Sequence, residues 1–330
     1  MSLLYQRTPL IKASDSAAAR LGVRAVYLKL DNLQPSGSFK IRGISHHVRR
    51  TLAGRSDTGP LALISSSGGN AGMAVAYVGK AYSLPTIIFV PKTTAGSIIH
   101  KLEELGAQVR VVGSVWDEAH QAAVAYCNEL GAAQTLYVHP FDHPDLWEGH
   151  STLVDEIVED GVLPDLVVCS VGGGGLLGGI LQGLAKHQLP QTLVAAVETD
   201  GAASWRAAQD QGLVEPVAIS EISTIAKTLG ARAVSAGVLK LARAHPAGVV
   251  SVLVSDRAAV QSCLIFADEY RFLVEPACGA SLALLDDAAL FKQSFPTLGH
   301  ESVVVVEVCG GSGVNLELLS DWKSQTGLAD

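Results

Sequence analysis

Residues 165–179 read DLVVCSVGGGGLLGG, and this stretch decides the fold. Leu166-Val167-Val168 is a continuous apolar run rather than an alternating one, which predicts a strand buried on both faces. Gly172 to Gly175 then strip the side chains from a strand-to-helix junction. Four successive glycines cost chain entropy, and a packing turn needs only one or two. The usual compensation is a phosphate held on bare backbone N–H groups. A helical pattern opens at once with Leu176-Leu177.

The same unit recurs along the chain. Strands are predicted at Ala25–Leu30, Leu61–Ser65, Thr86–Val90, Gln108–Val112, Asp165–Val171, Leu193–Thr199, Val249–Ser255 and Ser302–Cys309. Helical segments lie between them, among them Ala95–Leu105, Trp116–Leu130, Leu146–Glu159 and Asp256–Phe272. Strands alternating with helices argue an α/β architecture of open parallel sheets with helices on both faces. The chain has 330 residues, too many for one ordinary core, so two lobes are expected. Thr135–Pro144 (TLYVHPFDHP) breaks the rhythm with two prolines and two histidines and is the candidate crossing between lobes.

Composition narrows the function. Hydrophobic residues make up 48% and charged residues 17%, which excludes a disordered chain. A net charge of -8 without a basic stripe argues against nucleic acid. No run of about 18 apolar residues and no signal-peptide core appear, so no membrane span is predicted and a cytoplasmic location is expected. Cys127, Cys169, Cys263, Cys278 and Cys309 are scattered and form no CxxC pair, which fits reduced thiols. His139 and His143 flank Phe141-Asp142 at a spacing suggestive of a metal pair, but no third ligand is spaced to match.

Three further motifs carry chemistry. In Pro35-Ser36-Gly37-Ser38-Phe39-Lys40, Ser38 is the expected N-cap and Lys40 falls in the first helical turn. The positive end of the helix dipole disfavours an ammonium there and favours the neutral amine of a reactive lysine. Ser65-Ser66-Ser67-Gly68-Gly69-Asn70-Ala71-Gly72 follows a strand and precedes a helix, a setting for a carboxylate or phosphate. Glu307-Val308-Cys309-Gly310-Gly311-Ser312-Gly313 places a thiol beside glycines at the end of the last strand, where α/β sheets bind ligands. One competing reading uses Gly173, Gly175 and Gly178 as a GxGxxG fingerprint, with Glu198 about 20 residues further on, for a nicotinamide oxidoreductase. It leaves the lysine motif and the Ser/Gly/Asn loop without roles.

Taken in order, PSGSFKIRG, SSSGGNAG, GGGGLLGG and VCGGSG resemble the pyridoxal-phosphate (PLP) enzymes of the tryptophan-synthase β family, fold type II, over nearly the whole chain. VWDEA, PFDHP, WEGH and VEPACGA point within it to the L-serine dehydratase/L-threonine deaminase branch. The resemblance implies elimination of water from L-serine or L-threonine, giving pyruvate or 2-oxobutanoate and ammonia. Serine racemase or a β-replacing enzyme is the alternative on the same cofactor, and a binding protein that has kept the fold is a more distant one. Lys40 matches the lysine that carries PLP and removes the Cα proton, and Phe39 its neighbour against the cofactor ring. Gly172, Gly173, Gly174, Gly175 and Leu176 match the phosphate cup. Asn70 matches the partner of the ring hydroxyl and Cys309 that of the pyridine nitrogen. Ser66, Ser67, Gly68, Gly69 and Asn70 match the substrate-carboxylate loop, and either Ser67 or the phosphate protonates the leaving hydroxyl. The carbonyls of Gly172, Ala202, Leu229 and Ala231 match a monovalent-cation site, with K+ the candidate. A large domain of residues 1–40 and 139–330, a small domain of 41–138 and a homodimer are implied. Gly68 departs from the family, where many members carry Ala; the missing methyl predicts reduced activity or altered substrate preference, and a gain on restoring it.

Overall fold

The computed structural model describes residues 3–56 and 59–328. Among these, ten strands form two sheets. They are β1 (Leu10–Lys12), β2 (Ala25–Lys29), β3 (Ala62–Ser65), β4 (Thr86–Val90), β5 (Gln108–Val111), β6 (Thr135–Tyr137), β7 (Leu166–Ser170), β8 (Leu193–Thr199), β9 (Val249–Val254) and β10 (Val303–Glu307). The larger sheet runs β1-β2-β10-β7-β8-β9 and the smaller β5-β4-β3-β6. All pairings are parallel except β1 with β2. β4, β7 and β10 are buried at every position, as their unbroken Val/Ile/Leu runs predict.

The sequence misses β1 and β6. Both have three residues and are largely half-buried, so neither shows an apolar run. β6 opens the TLYVHPFDHP segment and pairs with β3 in the smaller sheet. The chain then passes through His139–His143 into helix Pro144–Glu159, which packs on helix Gly175–Lys186 behind the larger sheet. That helix starts two residues before the expected Leu146. Pro144 supplies the pre-set φ of a first helical residue, and the His143 ring accepts from the Asp145 N–H.

Helix Lys40–Gly54 packs tightly on helix Pro144–Glu159. A Cβ on Gly43 would lie 2.5 Å from the Leu146 carbonyl, and one on Gly149 2.5 Å from that of Arg42. A buried charge network fastens the same helix. Arg42, fully enclosed, binds Asp31 at 2.7 Å and Glu156 at 2.6 Å, and Lys29 reaches Glu156 at 2.6 Å. Arg42 is therefore a structural anchor for the helix whose first residue is Lys40.

Candidate active site

The four motifs meet where the strands of the two sheets end. The PSGSFK turn lies against the loop after β10. Ser38 forms a bridge with Gly310, Gly311 N–H donates to Gly37 O at 3.0 Å, and Phe39 N–H to Cys309 O at 3.2 Å. This pairing corrects the expected cap. Phe39, not Ser38, is the N-cap residue, without a side-chain bond, and the Ser38 hydroxyl is buried without a partner. Ser38 is held by its bridge across the chain rather than by the helix it precedes.

Lys40 nonetheless opens the helix, as expected. Its Nζ donates to the Pro140 carbonyl at 2.6 Å and lies 5.0 Å from the Phe39 ring centre. Burial brings its pKa down to about 8, against a smaller upward pull from Cys309. A sizeable neutral fraction at neutral pH suits a nucleophilic amine.

The Ser65–Gly72 loop follows β3 and leads into helix Asn70–Ala81. Its serines part company. Ser65 donates to Val138 O at 3.1 Å and Ser66 pairs with the Tyr137 hydroxyl at 2.7 Å, both toward β6 and its exit. The Ser67 hydroxyl stays within the loop and accepts from Gly69 N–H at 3.3 Å. Gly72 is obligatory, because a Cβ there would fall 1.7 Å from the Ser67 carbonyl oxygen. Gly68 sits against a wall: its Cβ would meet Thr94 at 3.0 Å and Val90 at 3.2 Å.

Asn70 joins this loop to the one after β10. Its Oδ1 accepts from the Ser312 N–H and hydroxyl, each at 2.8 Å, and its Nδ2 donates to Glu275 at 3.1 Å. Glu275 also accepts from Thr228 at 2.9 Å and from Gly313 N–H at 3.0 Å. One Asn70 N–H remains to donate. Glu275 and Ser312 lie in the VEPACGA and VCGGSG stretches, but neither was assigned a role, and Thr228 had no sequence signal. Tyr137 extends the chain of hydroxyls from Ser66 to His120 Nδ1 at 2.6 Å, and burial raises its own pKa to about 12.

The glycine run after β7 ends in helix Gly175–Lys186, whose N-cap is Gly174 at φ 90° with no side-chain cap. The first N–H groups of a helix have no intrahelical partners, and here they start from a buried glycine run. A Cβ on Gly173 would sit 2.2 Å from the Phe141 ring, so Phe141, one residue past the Pro140 carbonyl that holds Lys40, packs on the loop itself. An uncapped helix start of bare backbone donors, with a neutral-prone lysine beside the loop that covers it, fits a phosphate-bearing aldehyde cofactor.

At the end of the larger sheet, Cys309 is buried with the Cys278 thiol as its neighbour. Cys278 and burial push its thiol well above the usual range, so it is a neutral thiol. Leu229 packs on Gly172, with its carbonyl oxygen 3.1 Å from where a Gly172 Cβ would be. Ala202 is buried, and two residues on the Ser204 hydroxyl is buried without a partner. Glu198 does not serve the glycine loop as a dinucleotide site requires. Its carboxylate accepts the Trp205 and Arg206 N–H groups at 2.7 and 2.9 Å, and burial still raises it to about 7.

A family profile described as "Pyridoxal-phosphate dependent enzyme" matches residues 1–310. The chain belongs to that family. It is similar to an L-serine dehydratase/L-threonine deaminase of Mus musculus, 41% identical over 333 residues covering 98% of this chain and 97% of the relative. An L-serine dehydratase of Dictyostelium discoideum is 40% identical, over 90% of this chain and 85% of the relative. Among solved structures, a fungal L-serine ammonia-lyase from Rhizomucor miehei aligns at TM-score 0.88 and 34% identity, over 98% of this chain and 99% of that one. A threonine deaminase of Solanum lycopersicum aligns at TM-score 0.83 and 26% identity, over 99% and 85%. Family membership removes the nicotinamide reading.

Proposed function

We propose that the chain is a PLP-dependent lyase that eliminates water from L-serine and L-threonine, with Lys40 as its reactive base. The observation that carries this is the convergence of Lys40, the Ser65–Gly72 loop and the Gly172–Gly175 run at one set of strand ends, in a family whose similar members are named for that reaction.

In this reading the Gly172–Gly175 run and Leu176 hold the phosphate, Phe39 packs near the ring, and the spare Asn70 N–H meets the ring hydroxyl. Cys309, as a neutral thiol, faces the pyridine nitrogen without protonating it. Ser66 to Asn70 bind the substrate carboxylate at a helix N-terminus, where the dipole favours an anion. When bound, the cofactor supplies an electron sink for the charge left at Cα. Lys40 Nζ, held by the Pro140 carbonyl and readily neutral, takes the Cα proton. Ser67, whose hydroxyl accepts only from its own loop and keeps its proton free, or the cofactor phosphate would give the leaving hydroxyl a proton. The orphaned Ser204 hydroxyl and the Leu229 carbonyl beside Gly172 support a K+ site built on the carbonyls of Gly172, Ala202, Leu229 and Ala231.

Residues 1–40 with 139–330, and 41–138, are proposed as the two functional lobes, because the smaller sheet uses strands only from 62–137. Five unpaired cysteines support a reducing cytoplasmic setting, and the family habit supports a homodimer. Borohydride reduction of the purified protein followed by mass mapping tests the centre of this reading. The expected result is a cofactor adduct on Lys40 and, in unreduced enzyme, pyruvate from L-serine. An adduct elsewhere, or D-serine as the main product, overturns the assignment.

A further inference from the structure

Away from the cofactor motifs, helix Lys40–Gly54 and the start of helix Pro144–Glu159 bring His47, His143 and Asp145 together. One ligand atom from each lies within 4.8 Å of the others. Asp145 Oδ2 is 3.1 Å from His47 Nδ1 and 3.8 Å from His143 Nδ1, and the imidazole centres are 4.0 Å apart. Bonds of about 2.0–2.1 Å to a tetrahedral zinc place neighbouring ligand atoms roughly 3.3 Å apart. The two spacings to Asp145 bracket that edge, and with all three atoms within 4.8 Å of one another, closing the site draws them together by no more than about 1.5 Å.

The donor set suits ligation. His143 Nδ1 accepts the Asp145 N–H at 3.1 Å, which fixes its lone pair on that nitrogen, beside the carboxylate. A neutral His47 donates from Nδ1 to the Asp145 carboxylate, so ligation through that nitrogen moves its proton to Nε2. Ligation therefore exchanges two hydrogen bonds, the helix cap at His143 and the His47–Asp145 contact, for metal–ligand bonds. Arg50 is the opposing charge, but it uses Asp145 Oδ1, leaving Oδ2 to the cluster, and it holds Glu148 more closely at 2.5 Å. The His143 side chain is 42% exposed, which opens a fourth position to water.

We propose that His47, His143 and Asp145 bind a divalent transition-metal ion of the zinc type, with water as fourth ligand. Imidazole and carboxylate donors suit such an ion, and three protein ligands with one open position is an established zinc arrangement. The ion clips the helix that begins at Lys40 to the end of the His139–His143 passage, whose Pro140 carbonyl holds the Lys40 amine. His139, the partner suggested by sequence spacing, is not among the residues whose ligand atoms converge here.

The test is titration of the holoenzyme with Zn2+ against a coloured chelator, alongside the visible absorption of added Co2+ and the thermal midpoint. The expected result is one ion per chain, a tetrahedral Co2+ spectrum and a midpoint that rises with Zn2+ concentration. His143→Ala and Asp145→Asn, both at partly exposed positions, are expected to weaken Zn2+ binding at least about 10-fold. His100→Ala, at an exposed histidine outside the cluster, is expected to leave it unchanged. Metal-free unfolding of each variant checks that it is folded. Equal Zn2+ affinity in wild type, His143→Ala and Asp145→Asn places any ion elsewhere, on the cofactor included, and overturns the site, as does a wild type that takes up no ion.

Discussion

The two glycine loops occupy equivalent places, each between a parallel strand and the helix after it, yet they are built on opposite principles. Ser65–Gly72 keeps polar side chains and ties each one down: Ser65 and Ser66 to the β6 exit, Ser67 to its own loop, Asn70 to Glu275 and Ser312. Gly172–Gly175 has no side chains to tie, and neighbours press onto it instead, Phe141 at Gly173, Val238 at Gly174 and Leu229 at Gly172. A loop that must discriminate between small substrates keeps side chains and fixes them through hydrogen bonds. One that must only grip a phosphate dispenses with them and is shaped by what packs outside it.

The largest expected break in this comparison is Gly72→Ala. The new methyl collides with the Ser67 carbonyl, which is backbone and cannot turn away. Displacing the loop by about an ångström lowers kcat/KM for serine by roughly 100-fold, while PLP content stays near one per chain. Absorbance titration of the cofactor beside steady-state kinetics separates the two. Next in size is a pH effect at the lysine between the loops. Lys40 is depressed to about 8, so its amine is charged below that pH and neutral above it. In apo-protein, the rate of covalent PLP capture is expected to fall about tenfold per pH unit below 8 and to level off above it, followed by the visible band of the reconstituted enzyme. A rate already flat from pH 6 upward contradicts the burial argument.

Gly173→Ala sharpens the contrast from the other side. Its methyl meets the Phe141 ring, a side chain that can move, so PLP retention is expected to weaken by about tenfold rather than vanish. Phe141→Leu in the same chain is expected to recover part of the loss, measured as cofactor dissociation on dialysis. Smallest is Gly68→Ala. The family resemblance alone predicts a gain from restoring the missing methyl, but the structure puts Thr94 and Val90 in its path. Alone it is expected to change kcat/KM by less than about threefold, and with Thr94→Ser to shift the serine/threonine ratio further, since the pocket wall then accepts the methyl.

What the sequence made legible follows from local chemistry. β4, β8 and helix Trp116–Leu130 lie at the predicted residues because unbroken β-branched runs and a long helical pattern declare themselves within a few residues. The four glycine and lysine motifs were legible for the same reason. β1 and β6 were not, since three half-exposed residues carry no period. Asn70 was visible in its loop, and Glu275 and Ser312 lay in quoted motifs, but at 205 and 242 residues away their part in orienting it could not be read. Ser38 misled because serine before a helix is a common cap, whereas its bridge to Gly310 depends on the far end of the chain.

The charge network beneath Lys40 also bears on how the chain is made. Arg42 and Lys29 share Glu156, which is 114 residues downstream of Arg42. Burying these cations without that partner is strongly unfavourable. Asp31 balances Arg42 in part, so during synthesis the lysine helix gains its full charge pairing only once residue 156 has left the ribosome, by which time every strand of the smaller sheet has already emerged. The helix of the reactive amine is thus fastened after the smaller sheet is made, while the glycine run and the loop after β10 that complete its surroundings are made later still.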